Sequence, residues 1–149
     1  MRLIIVSGLS GSGKSVALAT LEDSGFYCID NLPVDLLDAF GQHIAMSGEE
    51  ADYAVGIDAR NQPASLSRFP GILDAIAAHG LDTEIVFLDA DDATLLKRFS
   101  ETRRRHPLSG PDIPLNEAIK GERARLVPLH ERADLTVDTS QPTLHELRQ

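Results

Sequence analysis

A glycine-rich octapeptide close to the amino terminus constrains the fold of this chain more than any other feature. Residues 8–15 read GLSGSGKS and match the pattern G-x-x-x-x-G-K-[ST] at every fixed position. The β-branched run LIIV at residues 3–6 predicts a buried strand just before the motif, and residues 14–22 predict a helix after it. A strand, a glycine-rich loop and a helix in this order indicate a loop that wraps around a phosphate group.

The residues of this loop each suit one part of phosphate binding. Glycines let the backbone approach a phosphate without Cβ clashes, and the amides of residues 11–15 form an anion-binding nest at the positive end of the helix. Lys14 can reach the β- and γ-phosphates, and the Ser15 hydroxyl can be placed on Mg²⁺. We therefore expect a nucleoside triphosphate, ATP or GTP, with Mg²⁺. The expected nucleotide-binding residues of the loop are Gly8, Leu9, Ser10, Gly11, Ser12, Gly13, Lys14 and Ser15.

Strand and helix patterns alternate five times along the chain, which predicts a doubly wound α/β fold with a five-stranded parallel sheet. By analogy with small P-loop kinases, we expect the strand order 2-3-1-4-5. The length of 149 residues suits one domain. Strands are predicted at residues 3–6, 26–29, 53–57, 84–88 and 135–137, and helices at 14–22, 34–45, 66–79, 92–105, 115–131 and from 143 onward. Pro128 is expected to end or kink the helix at 115–131.

Three of the predicted strands end in an aspartate. Ligands of open parallel sheets lie at the carboxyl ends of the strands, so all three carboxylates are candidates for the site. We expect Asp58 to hold Mg²⁺ together with the loop serine, and Asp30, placed farther from the loop, to serve the acceptor side as a base or substrate ligand. Asp89 is expected to be a helix cap. Arg60 and Asn61 follow Asp58 directly and could meet the nucleotide or its acceptor.

Charge is distributed unevenly along the sequence. The net charge of -9 combines a segment of +4 at residues 97–132 with a remainder of -13. Small P-loop kinases carry arginines on a mobile helical lid that closes over the phosphates and stabilises charge in the transition state. The run at residues 101–107 is expected to begin such a lid, with Arg103 as a catalytic residue beside Lys14 and Asp58, and Arg123 and Arg125 are candidates to end it. Other arginines of the segment are expected to pair with acidic neighbours, Glu101 or Glu122, or to face a partner.

Composition excludes several classes of protein. A hydrophobic content of 42% with 25% charged residues indicates a globular chain, and no apolar run approaches the length of a membrane span. The acidic balance and the 5% aromatic content argue against a module that binds RNA by itself. The one cysteine, Cys28, is expected to be buried and inert, and with no signal peptide it favours the cytoplasm. The histidines are expected at the surface or at helix caps: His43, His79, His106, His130 and His145.

Four segments resemble the RapZ/YvcJ family of bacterial nucleotide-binding proteins. They read GLSGSGKS, GFYCIDNLP, VGIDARN and IVFLDADDATLLKRFSETRRRHPL, and the resemblance extends over nearly the whole chain. The family's usual Asp-Val-Arg/Ser stretch reads Asp-Ala-Arg-Asn here. The resemblance implies nucleotide contacts from residues 8–15 and from a second tetrad, Asp58, Ala59, Arg60 and Asn61.

The resemblance also implies properties of a longer protein. Family members have a kinase-like P-loop domain followed by a second domain of similar size, and they bind and hydrolyse ATP and GTP. In some bacteria the full-length protein is an RNA-binding adaptor for an endoribonuclease. The resemblance implies that the second domain binds this RNA. We therefore expect residues 1–149 to be the N-terminal part of a longer protein, with RNA and protein partners bound through the absent domain. Assembly into a homo-oligomer is left open.

Two functions remain open at this point. The first is a weakly hydrolysing, regulatory nucleotide-binding domain. The second is a small-molecule kinase whose acceptor lies near Asp30 and Arg60. Both use every residue of the phosphate loop, so the motif cannot separate them.

Overall fold

The computed structural model describes residues 2–47, 50–102, 106–108, 110 and 112–140. In these ranges the chain forms five strands and seven helices. The strands are β1 (Arg2–Gly8), β2 (Tyr27–Ile29), β3 (Tyr53–Ile57), β4 (Asp82–Asp89) and β5 (Leu135–Asp138). The helices are α1 (Lys14–Asp23), α2 (Val34–Met46), α3 (Pro63–Ser67), α4 (Phe69–Ala77), α5 (Asp92–Thr102), α6 (Leu115–Arg125) and α7 (Val127–Glu131).

The five strands form one parallel sheet in the order β2-β3-β1-β4-β5. This confirms the predicted α/β class and the predicted strand order. β1 lies at the centre, with Leu3 beside Tyr53 of β3 on one side and beside Thr83 of β4 on the other. The loop that follows β1 therefore emerges from the middle of the carboxyl edge of the sheet.

Side chains of β1 alternate between two cores, one on each face of the sheet. Leu3 and Ile5 belong to the larger core. Ile4 and Val6 belong to the smaller core, where they pack with Leu18 of α1. Because both faces are covered over β1, the strand is apolar without a polar alternation, as its sequence predicted. Among the described residues, no helix is both long and apolar enough to cross a membrane.

Two predicted helices are interrupted where a proline follows. The pattern at 66–79 begins earlier, at Pro63, and divides at Arg68 into α3 and α4. The pattern at 115–131 divides at Leu126 into α6 and α7. Pro70 and Pro128 lie in the first turns of α4 and α7, where their missing N–H groups cost nothing; inside a continuous helix each would clash with the preceding turn. The helix predicted from residue 143 lies outside the described residues.

Asp89 is not the helix cap that the sequence suggested. Asp91 takes that position, and its Oδ1 accepts a hydrogen bond of 2.7 Å from the backbone N–H of Thr94. Asp89 is still in β4, and its Oδ1 accepts from Nη1 of Arg123 at 2.8 Å. The strand continues one residue further than predicted because Asp89 pairs with Asp138 of β5.

Cys28 is only half-buried, which corrects the prediction of a buried thiol. Its Sγ donates to the carbonyl of Leu18 at 3.4 Å. Burial and then the charge of Glu22 raise the pKa of this thiol, so the protonated form is favoured. An ordinary or raised thiol pKa disfavours nucleophilic chemistry at neutral pH.

Candidate functional site

The loop at residues 8–15 leaves β1 with a close backbone approach at Gly8. A Cβ at Gly8 would lie 2.4 Å from the carbonyl oxygen of Leu88, so only glycine fits beside β4. Gly11 and Gly13 have φ values of 86° and 103°, a left-handed conformation that glycine adopts at little cost. The backbone therefore bends twice and returns to the sheet edge, as a loop around a phosphate must.

Helix α1 begins at Lys14, directly after the second bend. Gly13 occupies the N-cap position, and no side chain of the described residues caps the helix. The first N–H groups of a helix have no partner within the helix and carry its positive dipole end. These amides are available to an anion held in the loop.

Lys14 and Asp30 form a direct ion pair. The Nζ of Lys14 lies 2.6 Å from the Oδ1 of Asp30, and the lysine side chain is only 14% exposed. This corrects the expectation that Asp30 lies farther from the phosphate loop. The reason is Gly56 of β3, where a Cβ would stand 2.4 Å from the Asp30 carboxylate and 3.3 Å from Nζ. The glycine before Ile57 and Asp58 was the signal in the sequence that could have revealed the contact.

Asp58 lies at the end of β3, and its side chain is only 9% exposed. Arg60 engages it through Nε and Nη2, the shortest contact being 2.6 Å, and through its backbone N–H at 2.9 Å. Burial by itself would raise the pKa of Asp58, but the hydrogen bonds and charge of Arg60 outweigh it and lower that pKa below its ordinary value. The carboxylate is therefore ionised at neutral pH.

The loop after β2 and the loop after β3 are joined by two side chains. Arg60 also donates to the Oδ1 of Asn31, a residue with a φ of 58°. Asn61 accepts the backbone N–H of Val34 at 2.8 Å. The first contact brings Arg60 close to Asp30, the partner of Lys14, and the second joins Asn61 to the start of α2. Ala59 is buried, and its carbonyl accepts from Arg125 at 3.3 Å.

Ser15 and Asp58 are the residues expected to hold Mg²⁺. Ser15 is exposed in the first turn of α1, and Asp58 provides an ionised carboxylate at the same edge of the sheet. Oxygen donors are what Mg²⁺ prefers, and it takes few protein ligands because phosphates and waters complete its shell. The donor set therefore fits the ion. Among the described residues there is no cluster of three or more histidine, cysteine or acidic groups that would hold a metal without a nucleotide.

Glu122 of α6 contacts the phosphate loop, and the sequence did not reveal this contact. It is fully buried, and its two oxygens accept from the backbone N–H of Ser10 at 2.8 Å and the hydroxyl of Ser10 at 2.6 Å. His106 is 1% exposed and lies 3.1 Å from Glu122, which corrects its prediction as a surface or cap residue. Glu122 consequently binds Ser10 and His106 instead of an arginine. His43, His79 and His130 are exposed as expected, and His145 lies outside the described residues.

Two further side chains hold the phosphate loop, one from α5 and one directly after β5. Nη1 of Arg98 donates to the carbonyl of Gly11 at 2.8 Å, and the hydroxyl of Thr139 donates to the carbonyl of Ser12 at 2.6 Å. Arg98 and Thr139 also bond to each other. Sequence patterns carried no sign of either contact, because the partners lie on separate elements.

The expected lid arginines are only partly within the described residues. Arg123 is paired with Asp89 and Asp92, each at 2.8 Å, so it joins α6 to β4 and α5. Its place at the end of a lid stays a prediction. Arg103, with its neighbours 104 and 105, lies outside the described residues, and its catalytic role stays a prediction.

Sequence comparison places the chain beside a family of bacterial proteins. Residues 1–149 match the family model described as the RapZ-like N-terminal domain. A nucleotide-binding protein of Alkalilimnicola ehrlichii is 60% identical over 150 residues, covering 99% of this chain and 52% of the relative. One from Methylococcus capsulatus is 57% identical, covering 100% of this chain and 51% of the relative. The chain thus spans about half the length of the curated relatives it matches.

Solved structures with low sequence identity share the fold. Shikimate kinase from Acinetobacter baumannii superposes with a TM-score of 0.62 at 17% identity, covering 100% of this chain and 89% of the kinase. A gluconokinase from Sinorhizobium meliloti gives 0.61 at 22% identity, covering 99% of this chain and 87% of the kinase. The fold is therefore that of the small P-loop kinases.

Proposed function

Because this chain belongs to the RapZ-like N-terminal domain family, we propose that it binds ATP or GTP with Mg²⁺ and slowly hydrolyses it. The observation that carries this proposal is the loop at residues 8–15. Left-handed glycines at Gly11 and Gly13 lead into the uncapped start of α1, and Lys14 stands at that start. The relatives' names describe nucleotide binding, which supports the same conclusion.

The proposed division of labour follows from charge and position. The amides at the start of α1 and the amine of Lys14 receive the β- and γ-phosphates. Ser15 and Asp58 hold Mg²⁺, which supplies a positive charge to the phosphate oxygens when bound. Arg60 orients Asp58 through the contacts described above. Arg103 is proposed to stabilise transition-state charge.

The two carboxylates near the phosphate loop support slow hydrolysis, because neither is a good general base. A general base works best when its pKa lies near the working pH. Asp58 is held by Arg60 with a pKa below its ordinary value, so it is a weak acceptor of the proton from an attacking water. Asp30 is occupied by Lys14. We therefore propose that nucleotide occupancy, more than turnover, is the useful signal.

The wider role is a proposal about the longer protein. We propose that the domain regulates an RNA-binding adaptor, with RNA and protein partners bound by the part of the relatives that this chain does not span. The net charge of -9 supports this division, because phosphate contacts of RNA require basic surface. Tight, salt-sensitive RNA binding by residues 1–149 alone would contradict it.

A second candidate function, transfer of the γ-phosphoryl group to a small acceptor, is favoured by one observation. Asp30, Asn31 and Arg60 converge next to Lys14, where an acceptor of a P-loop kinase would lie. Asp30 would accept the proton of an acceptor hydroxyl, and Arg60 would bind an acidic group of the acceptor.

One experiment tests both functions. The protein is incubated with Mg²⁺ and ATP or GTP labelled on the γ-phosphate, with and without a panel of small hydroxyl and phosphate-bearing acceptors. The regulatory domain is expected to release free labelled phosphate slowly, at a rate that acceptors do not change. Label on a small molecule that appears faster than free phosphate would establish the kinase instead. An unaltered chain that binds neither nucleotide would refute both.

A further inference from the structure

The buried carboxylate of Glu122 stands behind the phosphate loop and holds its first turn. Oε1 and Oε2 accept the backbone N–H and the hydroxyl of Ser10, at 2.8 Å and 2.6 Å. Both Ser10 donors are therefore directed toward α6 and away from the space that a phosphate would occupy. Of the amides that follow, that of Ser12 donates to the carbonyl of Leu9 at 2.9 Å, and those at the start of α1 remain for the anion.

Helix α6 is itself fixed, so Glu122 acts from a rigid support. Arg123, the next residue, is bonded to Asp89 at the end of β4 and to Asp92 at the start of α5. These contacts join α6 to the same edge of the sheet from which the phosphate loop emerges. A residue on such a support can define the position of a loop.

His106 provides a third donor to Glu122. The backbone N–H of Leu108 donates to Nδ1 of His106 at 3.0 Å, so Nδ1 is the acceptor and Nε2 carries the proton. Nε2 then donates to Oε1 of Glu122 at 3.1 Å. Glu122 therefore accepts hydrogen bonds from both Ser10 and His106.

The electrostatics of this arrangement run against anion binding. A buried negative charge close to the loop repels a phosphate by Coulomb's law, and burying a carboxylate costs desolvation energy. A neutral side chain at residue 122 would avoid both costs. The hydrogen bonds between Glu122 and Ser10 compensate for these two costs, because they fix the loop in a shape that presents the remaining amides.

We propose that Glu122 is a positioning residue for the nucleotide phosphates, acting through Ser10, with His106 as its third hydrogen-bond donor. This inference rests on the proposed nucleotide binding and names the internal contacts on which its affinity depends. Glu122 does not touch the nucleotide.

The test compares dissociation constants for Mg²⁺-ATP and Mg²⁺-ADP, measured by fluorescence titration, with melting temperatures measured without nucleotide. Glu122→Ala is expected to weaken binding of both nucleotides tenfold or more. Glu122→Gln keeps an acceptor for the Ser10 N–H and is expected to recover part of the affinity. Ser10→Ala keeps the amide contact, removes the hydroxyl donor to Oε2 of Glu122 and is expected to lose roughly threefold in affinity.

Asp134→Asn is the matched control. Asp134 also accepts a backbone N–H, that of Ile85 at 2.8 Å, but it does so near the start of β4, at the opposite end of the sheet. This variant is expected to lower the melting temperature and to leave both dissociation constants unchanged.

The contribution of the His106 hydrogen bond is tested by two substitutions. His106→Gln keeps a donor near the position of Nε2, whereas His106→Leu removes it. The leucine variant is expected to bind ADP several-fold more weakly than the glutamine variant. Equal dissociation constants for the two would refute a role of this hydrogen bond in positioning.

Other results of the titrations would contradict either the positioning role of Glu122 or the nucleotide binding itself. Tighter binding by Glu122→Gln would show that charge repulsion dominates and would refute positioning. Unchanged constants for Ser10→Ala and Glu122→Gln, with lower melting temperatures, would assign these contacts to stability alone and also refute it. An unaltered chain that binds no nucleotide would refute the proposed function itself. Should Glu122→Ala fail to fold, Ser10→Ala and Glu122→Gln carry the test.

Discussion

The Nζ of Lys14 lies 2.6 Å from the Oδ1 of Asp30, so the lysine of the phosphate loop is already paired with a carboxylate. Asp30 comes from the loop after β2, two strands away from the loop that carries Lys14. A phosphate that binds Lys14 has to compete with Asp30 for the same amine. The pair therefore links nucleotide binding to the loop that is the candidate acceptor side.

Substitution Asp30→Asn is expected to tighten binding of Mg²⁺-ATP by roughly three- to tenfold, because the competing charge near the phosphates is removed. Isothermal titration calorimetry would measure the change. Asp74→Asn is the matched control, since Asp74 forms an ion pair of 2.8 Å with Arg132 near the start of β4. It should not alter the affinity, and weaker binding by Asp30→Asn would contradict the competition.

Substitution Lys14→Ala is expected to abolish measurable triphosphate binding, because the point charge that reaches the β- and γ-phosphates is lost. Lys97→Ala removes a lysine whose side chain is 76% exposed and is expected to bind normally. Equilibrium binding of ATP and GTP at fixed salt distinguishes the two. Undiminished binding by Lys14→Ala would refute the assignment of the phosphate loop.

Gly56→Ala is expected to displace Asp30 or Lys14, because the added Cβ would stand 2.4 Å from the Asp30 carboxylate. We expect a destabilisation of about 1–3 kcal/mol in urea unfolding, with altered nucleotide affinity. Gly71→Ala, in α4, adds a Cβ that meets nothing within 4 Å and is expected to stabilise the chain by roughly 0.5–1 kcal/mol. Equal stability of the two variants would disprove the close approach at Gly56.

The lowered pKa of Asp58 predicts how the stability depends on pH. The folded-state pKa lies below the unfolded value of about 3.9, so the ionised carboxylate stabilises the fold above that value. This stabilisation is lost as the pH falls through the folded-state pKa. The free energy of unfolding of Asp58→Asn should therefore differ from that of the unaltered chain most at pH 5–7 and least near pH 3.

Arg60→Gln provides the control for this pH dependence. Arg60 is the source of the hydrogen bonds and charge that lower the pKa of Asp58. Without it, the folded-state pKa should rise toward the unfolded value, so the stability that Asp58 loses on acidification should shrink. A difference between Asp58→Asn and the unaltered chain that is the same at pH 3 and pH 7 would count against a lowered pKa.

Much of the fold could be predicted because it depends on short-range patterns. The apolar run before Gly8 predicted β1, and five alternations of strand and helix predicted the confirmed parallel sheet. The break before Pro70 was not predicted, because periodicity continues across it, whereas Pro128 was expected to end or kink its helix, which divides at Leu126. The match to the RapZ-like N-terminal domain confirms the family resemblance over residues 1–149.

The contacts around the loop could not be predicted in the same way. Asp89 and Asp91 are both acidic and both near the start of α5, and only their geometry decides which one caps the helix. His106 shows no metal-ligand spacing with another histidine, so an exposed position was expected. The structure instead buries it against Glu122.

The sequence by itself determined that residues 8–15 form a phosphate loop between a central strand and a helix, since spacing and glycine content suffice to specify a local backbone path. Only the tertiary structure decided which carboxylates meet that loop. Lys14 and Asp30 are 16 residues apart and Ser10 and Glu122 are 112 apart. With 23 acidic residues in the chain, the choice among them depends on how β2, β3 and α6 pack around β1, and local sequence carries no record of that packing.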